Sequence, residues 1–479
     1  MSTARLCGYL YQGEIYHQEV IDGVNAQPIY ADSVIGKRMQ ERTLHFLFIA
    51  VMHELYPHIH VRIEHSFSHG VYVKLNTLED VCVDNIIQKM QYYISQKQPI
   101  QKVKDFQFGL LGVVLEFYDE VCTHCGDLSF QLKPFQQGLW LALEGELQAS
   151  NKLFSVLREF EEWGKLQGVT SLQDLNQCTL NQQLNDLVLI SEAMAERKLM
   201  EVCDQIVAQQ KHFVLISGPS SAGKTTTSKR LALHLKVLGK KVLTIAMDDF
   251  YKNREDTPKK ADGSYDFECV EALDLPYFKQ VLEDMLMKKP VKLPIFDFKS
   301  GTRKFHDEAY VMDERAIIII EGIHGLNPIM KQFLNMDQAY RLYINALTHL
   351  NIDDHNYLMT NDYRLIRRIA RDQKTRGRNA EEIILARESV AEGEYLYIYP
   401  YQEESDCIMN TSLMYELAIL KKEVEHSLKA VSEQSEAAYD AKRLLRILEH
   451  VQAGDASCIP RNSVLQEFLV NSIFEETSI

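Results

Sequence analysis

Residues Gly218-Pro-Ser-Ser-Ala-Gly223-Lys224-Thr225 follow the spacing G-x-x-x-x-G-K-[ST], which suits one task, the holding of a chain of phosphates. The glycines let backbone N–H groups face the anion, Lys224 can reach the β and γ oxygens, and the Thr225 hydroxyl can ligate Mg²⁺. The apolar run before the loop reads as a strand, and Thr226 to Leu235 behind it reads as a helix whose N-terminal dipole attracts phosphate. Gly218, Pro219, Ser220, Ser221, Ala222, Gly223, Lys224, Thr225 and Thr226 are therefore the residues expected to bind a nucleoside triphosphate.

Binding a triphosphate does not by itself separate a small-molecule kinase from a GTPase or a mechanical ATPase, so the other strand ends must decide. A second apolar run ends in Met247-Asp248-Asp249-Phe250-Tyr251. A carboxylate there can take a proton from an attacking hydroxyl, as phosphoryl transfer to an alcohol requires; the alternative is an acidic pair capping the next helix. A third run, of four isoleucines, ends in Glu321, where an acid can hold the metal beside Thr225; the alternative is a strand-end salt bridge. Between residues 364 and 378 seven cations (Arg364, Arg367, Arg368, Arg371, Lys374, Arg376 and Arg378) face the single acid Asp372. Arg364, Arg367/Arg368 and Arg371 share one helix face by spacing, and Gly377 breaks the helix between Arg376 and Arg378. Such a stretch fits a lid over a transferring phosphoryl group; a solvated charged face or a nucleic-acid patch is the rival reading.

These residues need a scaffold that brings strand ends together. HFVLISG, KVLTIAMDD, AIIIIEG and AYRLYINA are compact apolar runs separated by lengths that suit crossover helices, so an α/β fold with a mainly parallel sheet flanked by helices is expected. The first half instead mixes a helical pattern over 41–57 with the alternating, Gly-centred VRIEHSFSHGVYVKL, as an α+β domain with a hairpin would. We divide the chain into 1–145, a helical connector 146–209, 210–425, and a helical tail 426–479 whose Ala441–Val451 stretch reads as a packing helix.

The 479 residues are 46% apolar and 25% charged, which excludes a mainly disordered chain. Lys+Arg 52 against Asp+Glu 67 gives a net charge of −15, so neither nucleic acid nor an anionic membrane is an expected partner. No signal-peptide pattern and no membrane-length apolar run occurs, and nine scattered cysteines fit reduced thiols; a cytoplasmic protein is expected. Cys122 and Cys125, with His124 between them, lack the second ligand pair of a structural zinc site.

From His212 to Lys422 the chain resembles the uridine kinase and phosphoribulokinase family of P-loop kinases, on GPSSAGKTT, MDDFYK, SYDFECVEALD, PIFDFKSGTRK, EGIHGLN, RRIARDQKTRGRN and DCIMNTSLMYELAILKK. The resemblance implies transfer of the ATP γ-phosphate to a sugar hydroxyl, with Mg²⁺. By position, Asp248 matches the catalytic base, Thr225 and Glu321 the magnesium positions, and Asp266 the acid that holds ribose hydroxyls. Arg371 and Arg376 match phosphate contacts, and Arg368 and Arg378 match residues on the nucleoside side. With Lys224, then, Asp248, Arg371 and Arg376 form the expected catalytic set. Phe296 stands where uridine kinases place a tyrosine, Gly301 where they place a base-contacting histidine and Ala386 where they place a glutamine. A two-residue insertion before the E-A-L-D stretch lets Glu268 share the ribose role. The expected acceptor is uridine or cytidine at its 5′-hydroxyl, or another small alcohol such as a sugar phosphate.

The stretch RTLHFLFIAVMHELYPHIHVRIEHSFSHGVYVKL resembles the second additional domain of threonyl- and alanyl-tRNA synthetases. Glu41 stands where that domain has its first metal histidine, His45 remains, and Cys122-Thr-His-Cys125 does not reproduce its second ligand pair, so the editing motif reads as degenerate. His65 and His69 read as surface residues on one face of a hairpin strand. An ATP-binding regulatory or tRNA-associated protein without kinase turnover is the rival of another class, and a homo-oligomer is left open.

Overall fold

The computed structural model describes residues 5–475 apart from 18–25, 149, 262, 298–299, 314 and 456, so Phe298 and Lys299 of the Pro294–Arg303 segment lie outside the described residues. The four apolar runs are strands, Phe213–Ser217, Lys241–Ala246, Ala316–Glu321 and Ala339–Asn345. A fifth, Cys407–Asn410, completes a wholly parallel sheet in the order 241–246, 316–321, 213–217, 339–345, 407–410. After the strand 213–217 the chain fills one side of the sheet and then crosses to the other. A crevice opens at the carboxyl end of that central strand.

Both faces of the sheet are covered, which is why its inner strands run apolar through Phe213–Ile216 and Ala316–Ile320 rather than at alternate positions. Val214 and Ile216 meet Leu231 and Leu235 of the helix Lys224–Val237 and Val202 and Ile206 of the helix Leu184–Ala208. Phe213 and Leu215 meet Phe278 and Leu282 of the helix Leu275–Leu286 and Leu157 and Phe160 of the helix Asn151–Gln167. The stretch 146–209 therefore does more than connect: two of its helices are the cover of the sheet.

In the first half the helix Val34–Leu55 starts at a Ser33 cap, whose Oγ accepts the Gly36 N–H at 3.1 Å. Its buried stretch Leu44–Met52 packs on a four-stranded antiparallel sheet in the order 61–67, 70–75, 138–142, 131–135. His45 is buried there, and burial drives its ring down to about 3. Of the two hairpin histidines, His69 is exposed, as a hairpin surface residue should be, and His65 is half-buried. A register shift between Ile63 and His65 turns the His65 ring against Tyr72 and Phe154 and burial lowers it to about 4, while His69 sits in the turn at φ +62°. Cys122 lies beside the Arg5 guanidinium at 3.5 Å, whereas Cys125 belongs to the core of this half.

The helix Ala438–Glu449 of the tail is wedged between the two halves. Its Asp440 takes Arg38 of the first-half helix at 2.7 Å, and its Arg443 pairs with Asp362 through both arms at 2.6 and 2.7 Å. Ala441, Leu444, Ile447, Leu448 and Val451 are buried, as a packing helix requires. No helix among the described residues is long and apolar enough to cross a membrane.

Candidate active site

The phosphate loop leaves the central strand so close to its neighbour that a Cβ on Gly218 would stand 2.0 Å from the Ile344 carbonyl oxygen. Only glycine fits there. Gly223 (φ +81°) and Ser221 (φ +59°) are left-handed, a conformation that costs a serine energy. The helix Lys224–Val237 begins at once behind them. Lys224 Nζ donates to the carbonyls of Gly218 and Pro219 at 2.9 and 3.0 Å, at the mouth of the loop.

Two buried arginines clamp the loop from behind. Arg364 donates to the Ser220 carbonyl at 2.9 Å and grips Glu394 with both arms, while Glu394 accepts the Ser220 N–H at 3.1 Å. Arg367 reaches the Ser221 carbonyl at 3.3 Å and pairs with Glu416 through Nε and, at 2.7 Å, NH2. These contacts correct the reading of Arg364 and Arg367 as lid cations: they are 5% and 0% exposed, because Glu394 and Glu416 wait for them inside. They shape the loop instead of closing over it.

Of the basic helix Thr360–Thr375, Arg368 and Arg371, with Arg376 just past its end, act on the crevice acids Glu268 and Asp248, whereas Lys374 turns away to pair with Glu423. Asp372, fully buried, gathers Arg371 at 2.8 Å, Arg368 at 3.4 Å and Arg376 at 3.7 Å. One acid thus organises three cations. Arg378 lies beyond that cluster, exposed after the left-handed Gly377 (φ +64°).

Asp248 lies in the short turn Met247–Phe250 at the end of the strand Lys241–Ala246. Burial holds its carboxyl above the ordinary range, and Lys224, Arg376 and Arg371 pull it back down. Raised but attended by cations, it is tuned as a general base should be. Asp249 points elsewhere, accepting the Phe296 N–H at 3.0 Å and so fixing the hairpin Pro294–Asp297/Thr302–Phe305.

At the third strand end the Thr225 hydroxyl donates to Glu321 at 3.0 Å. Burial, then the Asp248 charge, pushes the Glu321 carboxyl up to about 7, the mark of an acid with too little positive charge beside it. Two hard oxygen donors next to a phosphate loop fit Mg²⁺.

On the acceptor side Asp266 spends one oxygen on the N–H groups of Glu268 and Cys269, at 3.1 and 3.2 Å. Glu268 is the acid in electrical contact with Arg368, Asp248 and Lys224, and burial together with Glu394 raises it to about 7. Phe296 is buried against Tyr251 at 5.6 Å, and the Arg254 side chain lies within 2.9 Å of where a Cβ on Gly301 would be. A Glu268 that orients the acceptor would do so as the carboxylate, and on that role wild-type kcat/KM for the acceptor is expected to rise with pH through about 7. Glu268→Gln is expected to flatten that limb and cost roughly tenfold at pH 8. A pH–rate profile unchanged by the substitution would remove Glu268 from the acceptor site.

Residues 213–414 match the sequence model of the Phosphoribulokinase / Uridine kinase family. The uridine kinase of Lactobacillus helveticus is 28% identical over 169 residues, covering 35% of this chain and 71% of that protein. That of Ligilactobacillus salivarius is 29% identical over 195 residues, covering 40% and 82%. A solved structure of a possible uridine kinase from Bacillus stearothermophilus, 21% identical, covers 35% of this chain and 91% of its own with a TM-score of 0.27. The C-terminal half carries a kinase domain of this family, a phosphotransferase with an alcohol group as acceptor.

Proposed function

We propose, from a C-terminal half built as a phosphoribulokinase/uridine kinase family domain, that the protein transfers the γ-phosphate of ATP to the 5′-hydroxyl of a pyrimidine nucleoside, uridine or cytidine, in the cytoplasm. The observation that carries this reading is the meeting of Asp248 with Lys224, Arg376 and Arg371, whose charges all act on it at the crevice. The loop amides and Lys224 bind the phosphates, and Asp248 accepts the proton of the attacking hydroxyl. Arg371 and Arg376 stabilise the charge that spreads over the moving phosphoryl oxygens. Mg²⁺, held by Thr225 and Glu321, would supply charge neutralisation on the β and γ oxygens. Asp266 and Glu268 orient the sugar hydroxyls, with Arg368 and Arg378 on the nucleoside side and Phe296 as the apolar wall.

A second acceptor class has an observation of its own. The half-buried Arg368 lines a cavity of about 260 Å³ beside Ser220 and could meet an alcohol that carries its own anionic group, such as a sugar phosphate, whereas Arg38, Arg364 and Arg387 on the same wall are already paired with Asp440 and Glu394. In the first half we read residues 1–145 as a synthetase-like domain that has lost its hydrolytic ligands, Glu41 standing in place of one of them.

Both acceptor classes are tested by ATP consumption with Mg²⁺ across uridine, cytidine, purine nucleosides, ribulose 5-phosphate, pantothenate and glycerate. Uridine or cytidine as the strongest stimulant supports the nucleoside reading, and a phosphorylated or acidic alcohol supports the second. Tight ATP binding without stimulation by any of them overturns turnover in favour of an ATP-binding regulatory protein.

A further inference from the structure

The last described segment, Ile459–Phe474, returns to the phosphate loop. Glu467 Oε2 accepts the Thr226 hydroxyl at 2.7 Å and the Thr226 N–H at 3.3 Å, and Glu467 Oε1 stands 3.6 Å from Arg371. Val464 lies 2.7 Å from where a Cβ on Gly223 would be, and the Phe468 ring lies under the Arg367 guanidinium at 4.8 Å. Lys374 and Lys229 hold the chain on either side through the carbonyls of Leu469 (3.3 Å) and Phe474 (2.9 Å). A carboxylate from about 240 residues away is thus seated by two hydrogen bonds and a cation at the N-terminus of the phosphate-loop helix.

Thr226 is one of the residues through which the loop would hold ATP, and its N–H is one of the unpaired donors that a helix start offers to phosphate. A hydroxyl and an amide each have one proton to give, and Glu467 holds both. A triphosphate brought to the same donors would also face that carboxylate at close range, with Arg371 shared between them. The two anions exclude each other.

We propose that the C-terminal segment is a built-in competitor of ATP, with Glu467 occupying the place of a nucleotide phosphate on Thr226 and Arg371 until ATP displaces it. The inference rests on the ATP reading of the loop. The segment lowers apparent affinity by the fraction of molecules in which it is seated, so ATP must open a latch as well as bind.

The test uses the full chain and Mg·ATP. Glu467→Gln keeps the shape of the side chain and removes its charge, and it is expected to bind Mg·ATP roughly tenfold more tightly than wild type, the factor for a latch closed in about ten of eleven molecules. Hydrogen exchange of the wild-type protein gives a second reading that does not depend on the variant folding. On adding Mg·ATP, amides of 218–226 should gain protection while those of 465–474 lose it. Equal or weaker binding by Glu467→Gln, or unchanged or increased protection of 465–474 while 218–226 become protected, overturns the competitor. If 218–226 do not respond in either protein, it is the ATP reading that fails.

Discussion

Asp248→Asn is expected to lower kcat by roughly 10²–10⁴-fold while Mg·ATP affinity stays within about twofold. The amide fills the same space at the end of the strand Lys241–Ala246 and still accepts a hydrogen bond, but it cannot take a proton from the acceptor hydroxyl. ATP affinity is carried by the loop amides and Lys224, and Asp248 acts on Lys224 only through charge, so the affinity moves little. The same variant also reports on electrostatics: with the Asp248 charge gone, the Glu321 carboxyl loses its first charged neighbour and should titrate lower than about 7. Steady-state kinetics with the best acceptor, beside equilibrium binding of Mg·ATP, separates the two effects. Turnover at the wild-type rate would remove Asp248 as the base, and lost ATP binding would make it a structural residue.

Glu416→Ala is expected to destabilise the protein by about 3–5 kcal/mol, the cost of leaving a buried charge without its partner. Arg367 and Glu416 are both 0% exposed, so no water can replace the lost carboxylate. The damage reaches the phosphate loop, since Arg367 also holds the Ser221 carbonyl and Thr411. Replacing both partners by apolar residues, Arg367→Met with Glu416→Leu, is expected to recover most of the stability, because a desolvated ion pair often does no better than packed hydrocarbon. Urea unfolding reads both effects. A midpoint for Glu416→Ala equal to that of wild type would mean the pair is open to solvent.

The parallel sheet was legible because strands buried on both faces leave an unmistakable record: four isoleucines in a row admit few other readings. The fifth strand, Cys407–Asn410, was not, since four residues with polar flanks carry no period. The placement of the loop, Asp248 and Glu321 at strand ends was legible because each directly follows an apolar run. Glu394, Glu416 and Glu467 were missed because their meaning lies in partners far along the chain, Arg364, Arg367 and Thr226. For the same reason helical spacing assigned Arg364 and Arg367 to the outside: periodicity fixes which residues share a face, and only the carboxylates facing it decide whether that face is wet. His65 was misread because the face it shares with Tyr72 is covered by Phe154 of the helix Asn151–Gln167, a partner the hairpin's own residues do not announce.

The chain of Arg38, Asp440, Arg443 and Asp362 has a mechanical consequence for the basic helix Thr360–Thr375. Asp362, in the first turn, is bolted through the tail helix to the first half, and Arg364 and Arg367 are bolted to the phosphate loop. Such a helix cannot swing as a rigid arm about its N-terminal end without breaking three buried pairs at once. Whatever travel the reaction cycle demands is confined to its last turn and to Arg376-Gly377-Arg378, a short fingertip on a fixed hand. The first half, though remote from the chemistry, then serves as the anchorage against which that fingertip moves.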